Sequence, residues 1–329
     1  METTATIAGN GHIAFIDGRA VREILPPSAA VDALEAVLSA GLDPERDSPR
    51  SRVDTGVGQF LQMPSAWQDS VGTKLLTITP ANPALGAPVI QGLYVLFGGE
   101  TRQPQAVLDG MELTNLRTSA VSALGARLLA APGPQRLVVF GTGVQAWEHL
   151  KTFNDVFELE DVAIVGRRPA AAAALAARAS AELGLAARAA DASAVAAADL
   201  VICCTAADQP LFDGTLVSDS AVVVAMGAHE PTSRELDDAL MGRAAVVVES
   251  VDSALREAGD VIQALSSGAL TGPGELITLA ELVTGKRPIP RGRPVVFKTT
   301  GMPWQDLALA RAIVDAHPAV GGPGPGTSR

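Results

Sequence analysis

The sequence is poor in cysteine and in aromatic residues. Cys203 and Cys204 are its only cysteines among 329 residues; they are adjacent and they end an apolar run. This placement predicts a buried strand rather than a disulfide, and it favours a reducing compartment. Because two neighbouring strand cysteines and four dispersed histidines form no ligand set, we expect no metal.

Positive charge, export signals and long apolar runs are also lacking. The formal net charge of −11 argues against nucleic acid or an anionic membrane as a partner. The N-terminus has neither the basic nor the apolar region of a secretory signal, and no apolar run is long enough to span a bilayer. We therefore expect a cytoplasmic protein that binds neither nucleic acid nor membrane.

The order of the expected elements predicts two domains within an α/β fold. In residues 1–131, strands follow one another between helices at 28–39 and 112–131, which favours an α+β domain with a mixed or antiparallel sheet. After Pro132-Gly-Pro134, strands and helices alternate through residue 302, as in a doubly wound Rossmann domain. A Gly-Pro tail at 319–329 is expected to be flexible. The predicted strands lie at 13–16, 59–63, 72–79, 89–97 and 106–108, then at 136–140, 161–165, 199–204, 221–226 and 245–249.

A glycine turn follows the first strand predicted for the Rossmann domain. The run 136–140 leads into Gly141-Thr142-Gly143-Val144-Gln145-Ala146 and then into helical spacing. The first glycine permits a tight turn, the second lets the backbone approach a pyrophosphate, and the small third residue allows close helix packing. The pyrophosphate would lie at the helix N-terminus. Residues 141–145 are thus predicted to bind a dinucleotide, and the alternative is an ordinary strand-to-helix turn.

Two arginines follow the next predicted strand. At this point a dinucleotide fold that binds NAD usually has an acidic residue for the ribose 2′-hydroxyl, but here Arg167 and Arg168 follow Gly166. Because guanidinium groups bind a 2′-phosphate well, the pair favours NADPH over NADH. The alternative is an exposed loop with two solvated arginines.

Thr205 and His229 follow later strands, at the edge where parallel sheets bind ligands. Thr205 is predicted to line the nicotinamide side of the crevice, or alternatively to cap a helix. His229 can exchange a proton near neutral pH and is our candidate general acid, with a structural cap as the alternative.

Three basic residues of the first third lie in otherwise apolar or small surroundings. They are Arg50, Lys74 and Arg117. Buried cations need anionic partners, so together these residues predict a pocket for a substrate carboxylate. Taken singly, each residue could instead form an ordinary ion pair.

Ordered short motifs across nearly the whole chain resemble the ornithine cyclodeaminase/μ-crystallin family. The motifs are Pro49-Arg50, Met63-Pro64, Gly72-Thr-Lys74, Pro80-Ala-Asn82, Leu116-Arg-Thr118, Gly141-Thr-Gly-Val-Gln-Ala146, Gly285-Lys-Arg287 and Phe297-Lys-Thr-Thr-Gly301. The resemblance implies a homodimer formed through the first domain, which the C-terminal helix at 303–318 completes. It also implies that Arg50, Lys74 and Arg117 hold the substrate carboxylate beside the nicotinamide, and that Lys298 contacts the cofactor.

The sequence departs from the cyclodeaminases of that family at two positions. His229 stands where they have a catalytic aspartate, and Leu61 stands where they have a glutamate for the substrate amino group. The Gly-Ala-His-x-Pro form resembles the branch that reduces cyclic 2-imino acids. We therefore predict an NADPH-dependent ketimine reductase that converts Δ1-pyrroline-2-carboxylate or Δ1-piperideine-2-carboxylate to L-proline or L-pipecolate, with catalytic roles for Lys74 and His229. The alternatives are a cyclodeaminase, an alanine dehydrogenase or acyclic imine reductase, and a non-catalytic binding protein of the μ-crystallin kind.

Overall fold

A computed structural model describes residues 13–317 of the chain. Its internal contacts divide these residues into two compact units. The first unit comprises residues 13–26, 47–114 and 303–317, and the second comprises residues 27–46 and 115–302. His12, the predicted tail at 319–329 and the last residue of the predicted C-terminal helix lie outside the described residues.

Strands and helices are numbered in chain order. The strands are β1 (Ala14–Ile16), β2 (Ser51–Asp54), β3 (Gln59–Trp67), β4 (Ser70–Ile78), β5 (Ile90–Gly98), β6 (Gln103–Asp109), β7 (Gln135–Phe140), β8 (Leu159–Val165), β9 (Ala187–Ala189), β10 (Leu200–Cys203), β11 (Val222–Ala225), β12 (Ala245–Val248), β13 (Ile277–Thr278) and β14 (Val295–Lys298). The helices are α1 (Gly18–Ile24), α2 (Pro27–Ser39), α3 (Gly110–Leu129), α4 (Val144–Val156), α5 (Pro169–Leu183), α6 (Asp238–Arg243), α7 (Val251–Glu257), α8 (Gly259–Ser267), α9 (Leu279–Val283) and α10 (Pro303–Ala316).

The first unit is built on a six-stranded mixed sheet in the order β1-β6-β5-β4-β3-β2. β1 runs parallel to β6, and the other neighbouring pairs are antiparallel. Buried residues alternate along β4, so that Gly72, Lys74 and Leu76 lie on one face. Helix α10 packs against this side of β3, β4 and β5, and its inward residues include the fully buried Trp304. The expected α+β architecture is confirmed.

The second unit contains an eight-stranded parallel sheet in the order β13-β12-β14-β11-β10-β7-β8-β9. All four residues of β10, β11, β12 and β14 are buried, which explains their continuous apolar runs. From β7 the chain proceeds to β8 and β9 and then returns to β10 on the other side of β7. The order in which the chain adds strands therefore reverses between β7 and β10. At such a point the carboxyl ends of parallel strands leave a crevice for ligands. The predicted doubly wound Rossmann fold is confirmed.

The units divide within α3, not at residue 131 as the sequence suggested. Asp109 Oδ1 accepts hydrogen bonds from the backbone N–H groups of Met111 and Glu112, and so begins the helix at the end of β6. From residue 115 onward the helix groups with the second unit because its small polar residues bond to α4. Ser119 Oγ accepts from Thr152, and Ser122 Oγ lies 2.9 Å from Nε2 of the buried His149.

Four strands were not predicted from the sequence. β2 is an edge strand whose four residues are all exposed, so it has no apolar alternation to reveal it. β9 and β13 contain only three and two residues. β14 lies between β11 and β12 in the centre of the sheet, but its short run ends in a lysine and follows a basic, proline-rich loop. Within residues 13–317, we find no helix with the length and apolar character needed to cross a bilayer.

Candidate functional site

A cavity of about 430 Å³ lies at the carboxyl edge of the parallel sheet, where the strand order reverses between β7 and β10. Its wall comes from the three loops that follow β7, β8 and β10, at residues 141–143, 166–168 and 204–207. The predicted cofactor residues Gly141, Thr142, Gly143, Arg167, Arg168 and Thr205 all line it. The fold therefore brings six residues from three separate loops to one cavity.

The glycine turn has the geometry that a dinucleotide requires. Gly141 has a φ of +125°, and a Cβ built there would lie 2.6 Å from the carbonyl oxygen of Cys204. A side chain is therefore excluded at this position by both backbone conformation and space. Gly143 is the N-cap of α4, and a Cβ there would meet no atom within 4 Å. The open space over the positive end of α4 fits a pyrophosphate.

Val144 and Gln145 begin α4 directly beside this space. Val144 is 62% exposed, whereas the Gln145 side chain donates from Nε2 to Asn115 Oδ1 at 3.1 Å. Neither residue is among those that line the cavity. Their predicted contact with the cofactor thus concerns the backbone N–H groups at the start of the helix.

Arg167 and Arg168 are both exposed in the loop after β8, where they line the cavity. Gly166 brings this loop close to the glycine turn, because a Cβ at Gly166 would lie 2.7 Å from Thr142 Cγ2. Arg168 is also the residue that precedes α5, whose first residue is Pro169. Two guanidinium groups therefore stand at the cavity without a carboxylate at the end of β8, as a 2′-phosphate would require.

Thr205 is held by a buried carboxylate. Its backbone N–H and its hydroxyl donate to Glu235 Oε1 at 2.8 and 2.6 Å, and Gly227 N–H donates to Glu235 Oε2 at 2.8 Å. Burial raises the pKa of Glu235, and the nearby Lys298 ammonium and the Thr205 hydrogen bond oppose that rise. No helix follows Thr205 directly, so the alternative that it caps a helix is wrong.

His229 is exposed on the turn that follows β11. Its Nδ1 lies 2.7 Å from the carbonyl oxygen of Gly227, which accepts a hydrogen bond when the proton is on Nδ1. The next helix begins at Asp238 and is capped by Asp237, so the alternative that His229 caps it is wrong. A Cβ at Gly227 would lie 1.9 Å from the Thr205 carbonyl oxygen, and the two loops therefore touch.

Lys298 is fully buried at the end of β14 and is not among the residues that line the cavity. Its ammonium donates to the Ala225 carbonyl oxygen at 3.2 Å and lies 3.2 Å from Asp260 Oδ2. Asp260 Oδ1 in turn accepts the backbone N–H groups of Glu235 and Leu236. Lys298 thus has partners inside the fold, and its contact with the cofactor stays a prediction.

Arg117 lies in α3 and is 8% exposed. Its guanidinium is seated against the backbone of Gly301, where a Cβ would lie 2.2 Å from Nη1. Gly301 has a φ of +77°, and its N–H and that of Thr300 donate to the buried Glu249. A glycine and a carboxylate therefore fix the place of this arginine within the second unit.

Lys74 is buried in the first unit against a carboxylate of the same unit. Its ammonium donates to Asp306 Oδ1 and Oδ2 at 3.0 and 2.8 Å, and neither side chain is more than 1% exposed. The sequence predicted a substrate carboxylate as its anionic partner, whereas the structure supplies Asp306. Arg50 is half-buried immediately before β2.

A second acid lies close to this pair. Asp47 accepts a hydrogen bond from the Ser65 hydroxyl at 2.7 Å and another from the Trp304 N–H at 2.6 Å. Burial raises the pKa of Asp47 to about 6, although both hydrogen bonds lower it, and the negative charge of Asp306 adds to the rise. The first unit therefore contains a polar cluster under α10.

Four carboxylates that position the predicted residues were not predicted from the sequence. They are Asp306, Glu235, Asp260 and Glu249. One signal for Asp306 was available, because it is the single charged residue at the start of α10, Pro303-Trp-Gln-Asp-Leu-Ala-Leu309. Among residues 13–317, no group of three or more His, Cys, Asp or Glu side chains is arranged to hold a metal.

The chain has relatives of known activity over most of its length. The model of the ornithine cyclodeaminase/mu-crystallin family matches residues 28–319. The Δ1-pyrroline-2-carboxylate reductase of Paracoccus denitrificans is 35% identical over 291 residues, which cover 86% of this chain and 91% of that protein. The ketimine reductase mu-crystallin of Mus musculus is 34% identical over 252 residues, with coverages of 77% and 78%.

A solved structure is similar across both units. The iminosuccinate reductase of Paracoccus denitrificans, in complex with NAD+, matches with a TM-score of 0.86 and 27% identity, and the match covers 93% of this chain and 96% of that one. These relatives support an oxidoreductase with a dinucleotide cofactor, and they confirm the resemblance that the sequence motifs carry. The chain belongs to the ornithine cyclodeaminase/mu-crystallin family.

Proposed function

We propose that this protein is an NADPH-dependent reductase of small cyclic 2-imino acids, such as Δ1-pyrroline-2-carboxylate and Δ1-piperideine-2-carboxylate. The observation that carries the proposal is the cavity where the glycine turn, two arginines and Thr205 converge. Relatives named as pyrroline-2-carboxylate and ketimine reductases support the substrate class. The overall reaction takes the imino acid, NADPH and a proton to the amino acid and NADP+.

The proposed roles follow from the chemistry of the reaction. When bound, the cofactor supplies a hydride for the imine carbon. Arg50, Lys74 and Arg117 bind the substrate carboxylate, and the planar guanidinium groups give it a fixed orientation. His229 provides the proton for the imine nitrogen, directly or through water. Because Nδ1 bonds to the Gly227 carbonyl, Nε2 is the nitrogen that exchanges this proton.

The cofactor preference is tested by replacing the two arginines of the loop after β8. In the double variant R167A/R168A we expect NADPH to bind about 10- to 100-fold more weakly, because charge-assisted bonds to the 2′-phosphate are lost. NADH binding should change little. Fluorescence titration with both cofactors measures this. Equal losses for both would contradict a role in binding the 2′-phosphate.

Acyclic imino acids are the second candidate substrates. The similarity to the iminosuccinate reductase favours acyclic imino acids. Because the structure of that reductase contains NAD+, NADH has to be tested beside NADPH. A cyclodeaminase reaction is disfavoured by His229 and by Leu61, whose buried side chain lies on the same face of the sheet as Met63 and Lys74. A non-catalytic binding protein remains the outcome if no substrate is turned over.

One substrate panel separates these activities. Consumption of NADPH and of NADH is followed with pyrroline-2-carboxylate, piperideine-2-carboxylate, pyruvate plus ammonia, and oxaloacetate plus ammonia. Release of ammonia from ornithine is measured in parallel. The proposal expects the highest kcat/KM with a cyclic substrate and NADPH. Cofactor binding without any turnover would overturn the enzymatic proposal.

We also propose a homodimer formed through the open face of the six-stranded sheet. Opposite the face under α10, neighbouring strands present apolar side chains that are between 36% and 63% exposed, namely Phe15, Val53, Phe60 and Leu93. A patch of this kind is typical of an interaction surface. Mass measured by light scattering tests the dimer. A cytoplasmic location stays a prediction.

A further inference from the structure

Glu235 occupies a position that the predicted mechanism does not use. It is fully buried in the second unit, between the loops that follow β10 and β11. Its two carboxylate oxygens accept three hydrogen bonds, two from Thr205 and one from Gly227 N–H. Thr205 lines the cofactor cavity, and Gly227 begins the turn that carries His229.

We propose that Glu235 is a positioning residue that holds the nicotinamide end of the cofactor site together with the turn bearing His229. The inference rests on the dinucleotide part of the proposed function and not on the identity of the imino acid. Without this carboxylate, three partly buried donors at the carboxyl edge of the sheet would lose their acceptor. The two loops would then lose the three hydrogen bonds that join them through one side chain.

The contact between the loops makes this coupling tight. A Cβ at Gly227 would lie 1.9 Å from the Thr205 carbonyl oxygen and 2.7 Å from Glu235 Oε1. The turn after β11 therefore packs directly on the backbone of Thr205, and a shift of one loop displaces the other. Glu235 bonds to both loops, so it sets their distance.

The surroundings of Glu235 act on its pKa in opposite directions: burial and the Asp260 carboxylate raise it, whereas the Lys298 ammonium and the hydrogen bonds from Thr205 and Gly227 lower it. Lys298 lies beneath it, bound to the Ala225 carbonyl oxygen, and its positive charge opposes the effect of burial on Glu235. Asp260 accepts the backbone N–H of Glu235 at 2.7 Å and thereby fixes the start of the side chain. The three donors favour the ionised carboxylate over the neutral acid, because each of them stabilises its negative charge.

The test replaces Glu235 by glutamine and measures the two ends of the cofactor separately. In E235Q the amide oxygen can still accept from Thr205, but the amide NH2 faces the Gly227 N–H, so one bond becomes a contact between two donors. We expect NADPH to bind about ten-fold more weakly, with reduced emission from the bound nicotinamide. Binding of the adenosine half alone should change by less than about two-fold. The probe is adenosine 2′,5′-bisphosphate, or ADP if the unaltered protein prefers NADH.

A matched control exists in the same unit. Glu281 also accepts from the backbone N–H and the hydroxyl of a threonine, Thr278, at 2.9 and 3.2 Å, but it does so in the capping box of α9. The variant E281Q should bind both probes like the unaltered protein. If E235Q does not fold, T205V removes only the hydroxyl bond to Glu235, and T205S restores it.

The outcomes separate the inference from the proposed function. Weaker NADPH binding with intact binding of the adenosine half supports the positioning role. Unchanged NADPH binding and emission in E235Q overturn it, as does an equal loss of both probes, because that would indicate a general structural defect. If T205V is used, the same binding as in T205S overturns it. Cofactor binding by the unaltered protein without imino acid reduction would overturn the substrate proposal alone.

Discussion

Each unit contains one fully buried lysine beside an aspartate, and the two pairs are built differently. In the first unit, both oxygens of Asp306 accept from Lys74. In the second unit, Asp260 uses one oxygen for two backbone N–H groups, and its other oxygen lies 3.2 Å from Lys298. Asp306 therefore bonds to its lysine through both oxygens, whereas Asp260 directs one oxygen to its lysine and the other to backbone N–H groups.

This difference is relevant to the substrate-binding role that we propose for Lys74. A buried ion pair contributes little net stability, because desolvation of both charges offsets their attraction. A pair whose carboxylate is directed at the ammonium therefore needs a reason other than folding. The proposed binding of a substrate carboxylate supplies that reason for Lys74. Lys298 instead belongs to the set of bonds that joins β11, β14 and the segment around Glu235.

Replacing both members of each pair by apolar residues should give the largest contrast. In K298M/D260L the N–H groups of Glu235 and Leu236 lose their acceptor, so we expect the free energy of unfolding to fall by about 2–6 kcal/mol. In K74M/D306L two charges disappear together, and the loss should be smaller than about 2 kcal/mol. Urea denaturation measures both values. A larger loss in K74M/D306L would contradict the distinction between the pairs.

Asp306 should affect turnover more than cofactor binding. In D306N the amide keeps the shape of the side chain but no longer balances the ammonium, so Lys74 loses its charge or its position. We expect kcat/KM for the imino acid to fall at least about 100-fold. NADPH affinity should be unchanged, because the cavity residues belong to the second unit. A comparable loss of NADPH affinity would argue that D306N disturbs the protein generally.

Gly301 offers a finer test of how Arg117 is held. In G301A the new methyl group would lie 2.2 Å from Arg117 Nη1, so the guanidinium must move. We expect the KM of the imino acid to rise about ten-fold, because a misplaced guanidinium binds the carboxylate poorly. The matched control is G285A, which has a similar positive φ of +68° but no atom within 4 Å of the new Cβ. Equal KM values for G301A and G285A would remove Arg117 from substrate binding.

The sequence was sufficient for five of the eight strands of the parallel sheet and for the loops that line the cavity. Buried parallel strands are short apolar runs, which are easy to recognise. The glycine turn at Gly141 has a residue pattern that is typical of one kind of strand-to-helix connection. The position of Arg167, Arg168 and Thr205 beside the cavity could be predicted because each closely follows such a run. Local pattern and fold therefore agree in this half of the chain.

The carboxylates that position the site were beyond local pattern. Lys74 and Asp306 are 232 positions apart, and Glu235 and Thr205 are 30 apart, so only the folded chain shows which acid meets which donor. β2, with four exposed residues, was missed for a related reason, since an edge strand buries no side chain to mark it. The role of a single polar residue depends on its partners in the folded chain, and the local sequence does not show which residues those are.

The last predicted effect depends on pH and concerns Asp47, the acid beside the Lys74–Asp306 pair. Burial raises its pKa from 3.8 to about 6, so the folded protein binds a proton more tightly than the unfolded chain does. This contribution to stability is fully present below pH 3.8 and is lost as the pH rises through about 6. In D47N, an amide oxygen can accept from the Trp304 N–H and the NH2 can donate to Ser65 Oγ. We therefore expect the free energy of unfolding of D47N at pH 7 to exceed that of the unaltered protein by up to about 3 kcal/mol. Near pH 4 the excess should be smaller.

Urea denaturation across this pH range measures the difference between the two proteins. Asp54 is exposed in β2, and D54N is the control for removing a negative charge from the same unit. The comparison shows how much of any change comes from the loss of a negative charge alone. A constant difference in the free energy of unfolding between D47N and the unaltered protein from pH 4 to pH 7 would mean that Asp47 is ionised throughout that range. The polar cluster under α10 would then carry two negative charges beside one lysine rather than a balanced pair.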